Sequence, residues 1–454
     1  MKRFVTKIKS LRHPRPSTST DPKMPAPVPP IVTASSQQSV ALETPKSSSA
    51  KRTLPKDSLF ESIPPEIRLE ILSQLNIDDL GAIVHASPVF HQLYLLNRKV
   101  LLRKGMAETL HNVVPDAIAV YESGQVGFKS SRTTENVTQF IQGYQVLRNE
   151  GKYSILDDEI PEDQIINMVS FLTSTVQPFM ALYAQWAQDV LRIPEAIKPL
   201  SSSEYIRIAR AMYRFQLYCH LFGNSSRNIQ PQLTFEPHDI LKTFFCNYKP
   251  WEVEEILCIF SFAADAYDQT FHIIHQDVHP NNARFDEQGR PPTPDGAFDL
   301  DNSWNREQLL HGTLSRGLEL LHTVLTSRSA HEQLVNTMQQ NLCFPTGYSL
   351  EDLFILESPQ YLRRHQYPID EDSMELRRDS LPFIGDTDAK GPPQAWVLIW
   401  KGTYSNKYGH TIPETLRRWG YVMWDTGRLS DINGYELLAQ QWDEMWDNHD
   451  PRDM

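Results

Sequence analysis

Residues 275–282, HQDVHPNN, place His275, Asp277 and Asn282 in the order and spacing of a loop that catalyses phosphoryl transfer. In such a loop the aspartate, here Asp277, accepts the proton of a substrate hydroxyl, and the asparagine, here Asn282, holds a metal ion. Farther along, Asp299-Leu300-Asp301 fits a second metal-binding segment. These residue types raise one hypothesis, a phosphotransferase that uses Asp277, Asn282 and Asp301.

The same segment suggests a metal site as well. His275, Asp277 and His279 alternate, and alternate residues of an extended chain share one face. However, such ligand types also occur together in loops by chance. Asn281-Asn282 after Pro280 is a combination typical of turns. We therefore expect a polar, partly buried loop in a helical domain, with no metal, no cofactor and no catalytic residue.

The elements around the segment do not suit a phosphotransferase. Such an enzyme needs an upstream lobe of strands that covers the nucleotide, but the residues before 275 have the apolar periodicity of helices. The stretch from Asn282 to Asp301 would have to form paired strands, and Pro291, Pro292 and Pro294 remove ladder donors from it.

The pattern predicts a mainly α fold. Short helices and loops are expected over 98–155, and longer helices at 163–191 (kinked or divided at Pro178), 203–222, 250–271, 305–327, 329–341 and 433–447. Residues 397–399 suggest a short strand, and 385–394 a flexible surface loop. Six of the nine tryptophans lie in the last part of the chain, where we expect a hydrophobic core rather than a recognition patch.

Composition and charge limit the class of protein. The chain of 454 residues is 40% hydrophobic and 22% charged, as in a globular protein. No apolar run suggests a membrane span or a secretory signal, and four cysteines without a Cys-x-x-Cys pair suggest the cytoplasm or the nucleus.

Charge divides unevenly along the chain. Residues 1–57, rich in Ser, Pro and Thr, contain 11 Lys and Arg against 3 Asp and Glu, so we expect a disordered basic tail. The remaining residues contain 33 Lys and Arg against 53 Asp and Glu, and this net charge of −20 disfavours binding to nucleic acid.

Residues 58–97 are expected to form three short helices with a partly uncovered apolar surface. Ser62 is the predicted cap of the first helix, with Pro64 or Pro65 in its first turn. Asp78 is the predicted cap of the second helix, and Ser87-Pro88 is a start signal for the third. A unit of about 40 residues is at the lower limit of independent stability, so its apolar faces must be covered by its own chain or by a partner.

The segment IPPEIRLEILSQLNIDDLGAIVHASPVF resembles an F-box, in which Leu-Pro-x-Glu-Ile, Ile-Leu-x-x-Leu, Asp-Leu and Val-Ser-x-x-Trp follow one another. The matching blocks here are 63–67, 71–75, 79–80 and 86–90. Ile63 stands for Leu, Ala86 for Val and Phe90 for Trp, all of them apolar exchanges. Segments 250–260, 290–300, 313–322 and 416–425 are similar to shared segments of filamentous-fungal F-box proteins.

The resemblance implies a non-catalytic substrate receptor of a ubiquitin ligase. An F-box docks on a Skp-type adaptor and, through it, on a cullin scaffold, while the remaining residues, here 98–454, hold a protein target. The residues that the resemblance assigns to the adaptor are Ile63, Pro64, Ile67, Leu72, Leu75, Leu80 and Phe90. Internal packing is the alternative for each of them. The alternative for the whole chain is an aminoglycoside-phosphotransferase-like enzyme that uses HQDVHPNN.

Overall fold

Helices make up nearly all the regular structure in the computed structural model, which describes residues 59–149, 160–192, 198–223, 235–288, 293–345, 347–348, 350, 353–354, 370–446 and 450–453. These residues belong to one compact unit, Asp57–Met454. Within these ranges no β-strand forms, and an isolated bridge joins Ser380 to Thr403. The predicted mainly α class is confirmed, whereas the predicted basic tail lies outside the described residues.

Three short helices begin the described chain: α1 (Pro65–Ser73), α2 (Ile77–Ala86) and α3 (Pro88–Leu96). Ser87 caps α3 by accepting a hydrogen bond from the backbone N–H of Phe90, as predicted. The other two predicted caps are wrong. Ser62 donates to a backbone carbonyl in the preceding turn, and Asn76, not Asp78, caps α2, because Asn76 is the last residue with an extended backbone before the helix.

The next helices are α4 (Arg98–Leu110), α5 (Val114–Gly124), α6 (Val126–Ser130) and α7 (Thr134–Asn149). Helix α4 supports the first three. A Cβ on Gly105 would lie 3.0 Å from the Ile77 side chain, so glycine allows α2 to approach closely. The backbone N–H of Ile77 also donates to Thr109 Oγ1 at 2.9 Å. One side of the three-helix unit is thereby fixed to the body.

A long apolar stretch follows as α8 (Glu162–Phe171), a π-helical turn (Leu172–Val176) and α9 (Gln177–Leu191). Pro178 lies in the first turn of α9, and the π-turn just before it accommodates the missing donor. By length and composition Glu162–Leu191 is apolar enough to cross a membrane, and 39% of its most apolar window is buried. A single such helix is weak support for a membrane span, and Leu172, Phe179 and Tyr183 pack in the core.

The centre of the fold contains α10 (Ser202–Phe222), α11 (Pro237–Thr243) and α12 (Pro250–Val278). Helix α10 matches its prediction, but α12 continues past the predicted end at residue 271. The reason is visible in the spacing of Phe271, Ile274 and Val278, which keeps one apolar stripe buried through the last two turns.

Buried ion pairs join α10 to its neighbours. Arg214 Nε lies 2.8 Å from Asp116 Oδ1 and Arg214 Nη1 lies 3.2 Å from Glu252 Oε2, while Arg210 binds Glu255 through two hydrogen bonds. Burial alone would raise the pKa of Glu252, but the neighbouring Arg214 and Arg210 outweigh it and hold that pKa below its usual value. These charges need each other because all of them are buried.

Beyond α12 come α13 (Ser303–Leu314), α14 (Leu318–Thr326) and α15 (His331–Asn341). The predicted single helix at 305–327 is interrupted by Gly317, whose φ of +82° is left-handed. A Cβ there would lie 2.5 Å from Gln216 Oε1, which accepts a hydrogen bond from Leu318 N. Glycine is therefore needed at this break both for its backbone angle and for space.

The remaining helices are α16 (Asp370–Arg377), α17 (Gln394–Ile399), α18 (Glu414–Arg417), α19 (Thr426–Asp431) and α20 (Gly434–Trp446). The predicted strand at 397–399 is wrong, because a run of three apolar residues fits either structure and here it ends a helix. The tryptophan core is confirmed by Trp396, Trp419 and Trp442, which are fully buried. The 385–394 loop is anchored by Asp386, which accepts hydrogen bonds from Thr426.

Candidate functional site

The HQDVHPNN segment divides between a helix end and a turn. Residues 275–278 are the last four residues of α12, so the predicted loop is wrong for this half. On a helix, residues two apart point about 200° from each other. The alternative of a metal site at His275, Asp277 and His279 required an extended chain, which residues 275–278 do not form.

A different set of side chains meets at this helix end. The backbone N–H of Phe298 donates to the carbonyl of Val278 at 2.7 Å, which brings the 298–301 segment against α12. His275 Nδ1 then lies 2.9 Å from Asp301 Oδ1, and His279 Nε2 lies 3.9 Å from Asp299 Oδ1. The hydrogen bond from His275 lowers the pKa of Asp301, so that carboxylate stays charged.

The geometry gives His279, Asp299 and Asp301 ligand atoms within 4.8 Å of one another, close enough for a metal ion. The hydrogen bonding opposes that use. His279 Nδ1 accepts from the backbone N–H of Asn281 at 3.0 Å, so the proton of a neutral ring sits on Nε2, the nitrogen that faces Asp299. A protonated nitrogen donates to a carboxylate and does not bind a metal. His275 and Asp301 form a histidine–carboxylate hydrogen bond, whereas His279 and Asp299, 3.9 Å apart, make a longer ion-pair contact.

The three residues of the phosphotransferase hypothesis have separate partners. Asp277 Oδ2 lies 3.1 Å from His331 Nε2, and Asp301 is bound to His275. The Asn282 side chain closes the turn itself, donating to the Gln276 carbonyl at 2.9 Å. Upstream, the described residues from 59 to 274 hold no strand to cover a nucleotide. Asp277, Asn282 and Asp301 are thus each held by a different partner.

The seven residues assigned to an adaptor fall into two groups. Leu72, Leu80 and Phe90 are fully buried in the chain's own core. For these three the adaptor assignment is corrected to internal packing, because a buried side chain offers no surface to a partner. The other four keep exposed surface: Ile63 and Leu75 are half-buried, and Pro64 and Ile67 are exposed.

Further apolar side chains near Ile67 in the chain are open to solvent. Ile67 is 53% exposed, Leu59 88%, Leu95 57% and Leu96 77%. The sequence interpretation missed Leu95 and Leu96, although the signal was present. The third helix has apolar residues on every side near its end, so packing one side leaves others bare.

The three-helix unit is itself well tied together. The Phe60 and Phe90 rings stack with centroids 4.9 Å apart, and Ser87 Oγ donates to Glu61. These contacts keep the entry to α1 fixed against α3. The exposed side chains therefore project from a defined scaffold and not from a loose end.

Comparison with protein-family models, with curated proteins and with solved structures found no match to this chain.

Proposed function

We propose that the chain is an F-box substrate receptor of a Skp–cullin–RING ubiquitin ligase, and that residues 58–97 are its adaptor-binding module. The observation that carries this is the exposed apolar set on a three-helix unit that is itself fixed to α4, with Ile67 at 53% and Leu96 at 77% exposed. A soluble partner that covers such side chains gains the free energy of removing them from water.

In this role the protein breaks and forms no bond. It holds a protein target near the ubiquitin-loaded enzyme, raising the effective concentration of target lysines at the thioester. The adaptor and the cullin scaffold are the required partners, and residues 98–454 hold the target. The chain acts without a cofactor, in the cytoplasm or the nucleus.

Co-purification with a Skp-type adaptor tests this function. We expect the full chain to retain the adaptor, and Ile67→Asp to lose it, since a charge at this site would have to be desolvated on docking. Ile273→Asp is the matched control, because Ile273 is a helical isoleucine that is 46% exposed on α12. Equal retention by both variants would reject the proposed surface. ATP turnover that disappears in Asp277→Ala would support the phosphotransferase alternative instead.

A further inference from the structure

A cleft of about 530 Å³ opens between α5, α6 and α7. Its volume lies within the usual range for ligand sites, roughly 300–1,000 Å³. Glu122 comes from α5 and Phe128 from α6, while α7 supplies Phe140, Gly143 and Tyr144. None of the residues discussed above as catalytic or adaptor-binding lines it.

The aromatic wall of the cleft is held in place from the core. The Phe128 and Phe140 rings contact each other with centroids 4.9 Å apart. The Tyr144 hydroxyl donates to Asp116 Oδ1 at 2.6 Å, and the same carboxylate oxygen is paired with the buried Arg214. The ring positions are therefore set by packing and by a buried hydrogen bond, and the cleft is formed before any ligand arrives.

Of the residues that the structure describes along the cleft, Glu122 is the only acidic one. Within the described part of the chain its carboxylate has no hydrogen-bond or ion-pair partner, and partial burial raises its pKa. A carboxylate without a counter-ion can pair with a cation, and partial removal from water strengthens their attraction. Aromatic faces attract cations in addition.

We propose that this cleft binds a basic side chain, lysine or arginine, presented by a segment of another protein. Glu122 is the counter-ion, and Phe128 and Phe140 contact the aliphatic stem and the cationic group. Glu122 remains solvent-exposed at the cleft, which leaves room for the backbone that carries the basic side chain. The proposed function enters at one point only: it identifies the protein that carries the basic side chain as the target to be ubiquitinated.

Gly143 provides a way to close the cleft without damaging the fold. A Cβ at this position meets nothing within 4 Å and Gly143 lines the cleft, so we expect the ring of Gly143→Trp to occupy the cleft. Gly427 in α19 is a matched control, since a Cβ there also meets nothing within 4 Å and it is absent from the cleft. Glu122→Gln removes the charge and keeps the shape.

The test is a ligand-observed NMR titration of the full chain with the capped peptide Gly-Ser-Lys-Ser-Gly, its norleucine counterpart and free 1,5-diaminopentane. We expect the lysine peptide to bind about tenfold more tightly than the norleucine peptide, and Glu122→Gln to erase that difference. Gly143→Trp should abolish binding, and Gly427→Trp should not change it. The proposal is overturned if the norleucine peptide binds equally well, if Glu122→Gln keeps the wild-type affinity, or if only the free diamine binds.

Adaptor capture measured on the same samples separates this result from the proposed function. The cleft variants should retain the adaptor, and Ile67→Asp should retain the lysine peptide. A wild-type chain that binds the peptide but no adaptor would reject the receptor function and leave the basic-side-chain site standing.

Discussion

Replacing Arg214 by methionine should be among the most damaging single changes to this fold. The guanidinium is buried, lies 2.8 Å from Asp116 and 3.2 Å from Glu252, and stacks 4.4 Å from the centre of the Tyr248 ring. Arg214→Met leaves two buried acidic side chains without this cation. Breaking a buried pair in this way costs about 3–5 kcal/mol, far more than the loss of an exposed pair.

Urea unfolding followed by circular dichroism measures this cost. We expect Arg214→Met to lower the unfolding free energy by about 3–5 kcal/mol. Arg418→Met is the control, because Arg418 pairs with Asp265 at 3.2 Å on the surface and its loss should cost less than about 1 kcal/mol.

A compensating variant separates lost charge balance from lost packing. If uncompensated charge is the cause, adding Asp116→Asn and Glu252→Gln to Arg214→Met should recover part of the stability. An Arg214→Met variant that unfolds at the wild-type urea concentration, or a triple variant whose cost is the sum of the single costs, would refute the reasoning. Asp116 also accepts the hydrogen bond from the Tyr144 hydroxyl. The triple variant, which contains Asp116→Asn, should therefore weaken binding in the cleft between α5, α6 and α7.

Two further predictions concern the interior. Burial lowers the pKa of His220 from 6.5 to about 3, so the stability that the neutral side chain contributes is complete above pH 6.5 and is lost as the pH falls toward 3. Between pH 6 and 5 this residue should lower the free energy of unfolding in urea by about 1.4 kcal/mol per pH unit, and His220→Asn should remove that dependence. Gly317→Ala should destabilise the fold by about 1–3 kcal/mol, because Gly317 has a positive φ and a Cβ there would lie 2.5 Å from Gln216. In the same urea titration Gly427→Ala should be neutral, since a Cβ there meets nothing within 4 Å. Equal effects of the two substitutions would show that the break at Gly317 is not strained.

The helical class and most helix positions could be read from apolar spacing, because burial on one side imposes a period that survives in the sequence. The end of α12 was missed since HIIHQDV looks polar, although Ile274 and Val278 continue the buried stripe. The catalytic interpretation of HQDVHPNN required a loop, and residue spacing alone does not show whether a segment forms a loop or a helix. Asp277 lies on a helix and contacts His331.

The candidate surfaces were harder to predict than the helices. Apolar spacing and turn residues located the three short helices within residues 58–97 but not which of their apolar residues face inward, because Leu72 and Ile67 are chemically similar and differ only in what packs on them. The cleft at Glu122 left no sequence signal, since its walls come from three helices and its character depends on a carboxylate that has no partner among the described residues.

The most direct test of the adaptor-binding claim is a calorimetric titration of the full chain with a purified Skp-type adaptor at several temperatures. We expect a one-to-one complex with a negative heat-capacity change, the mark of apolar surface leaving water. Ile67→Asp should weaken it by at least about 2 kcal/mol, roughly thirtyfold, and Ile273→Asp should not. No complex with the wild-type chain, or the same affinity in Ile67→Asp, would contradict the assignment of residues 58–97 as the adaptor-binding module.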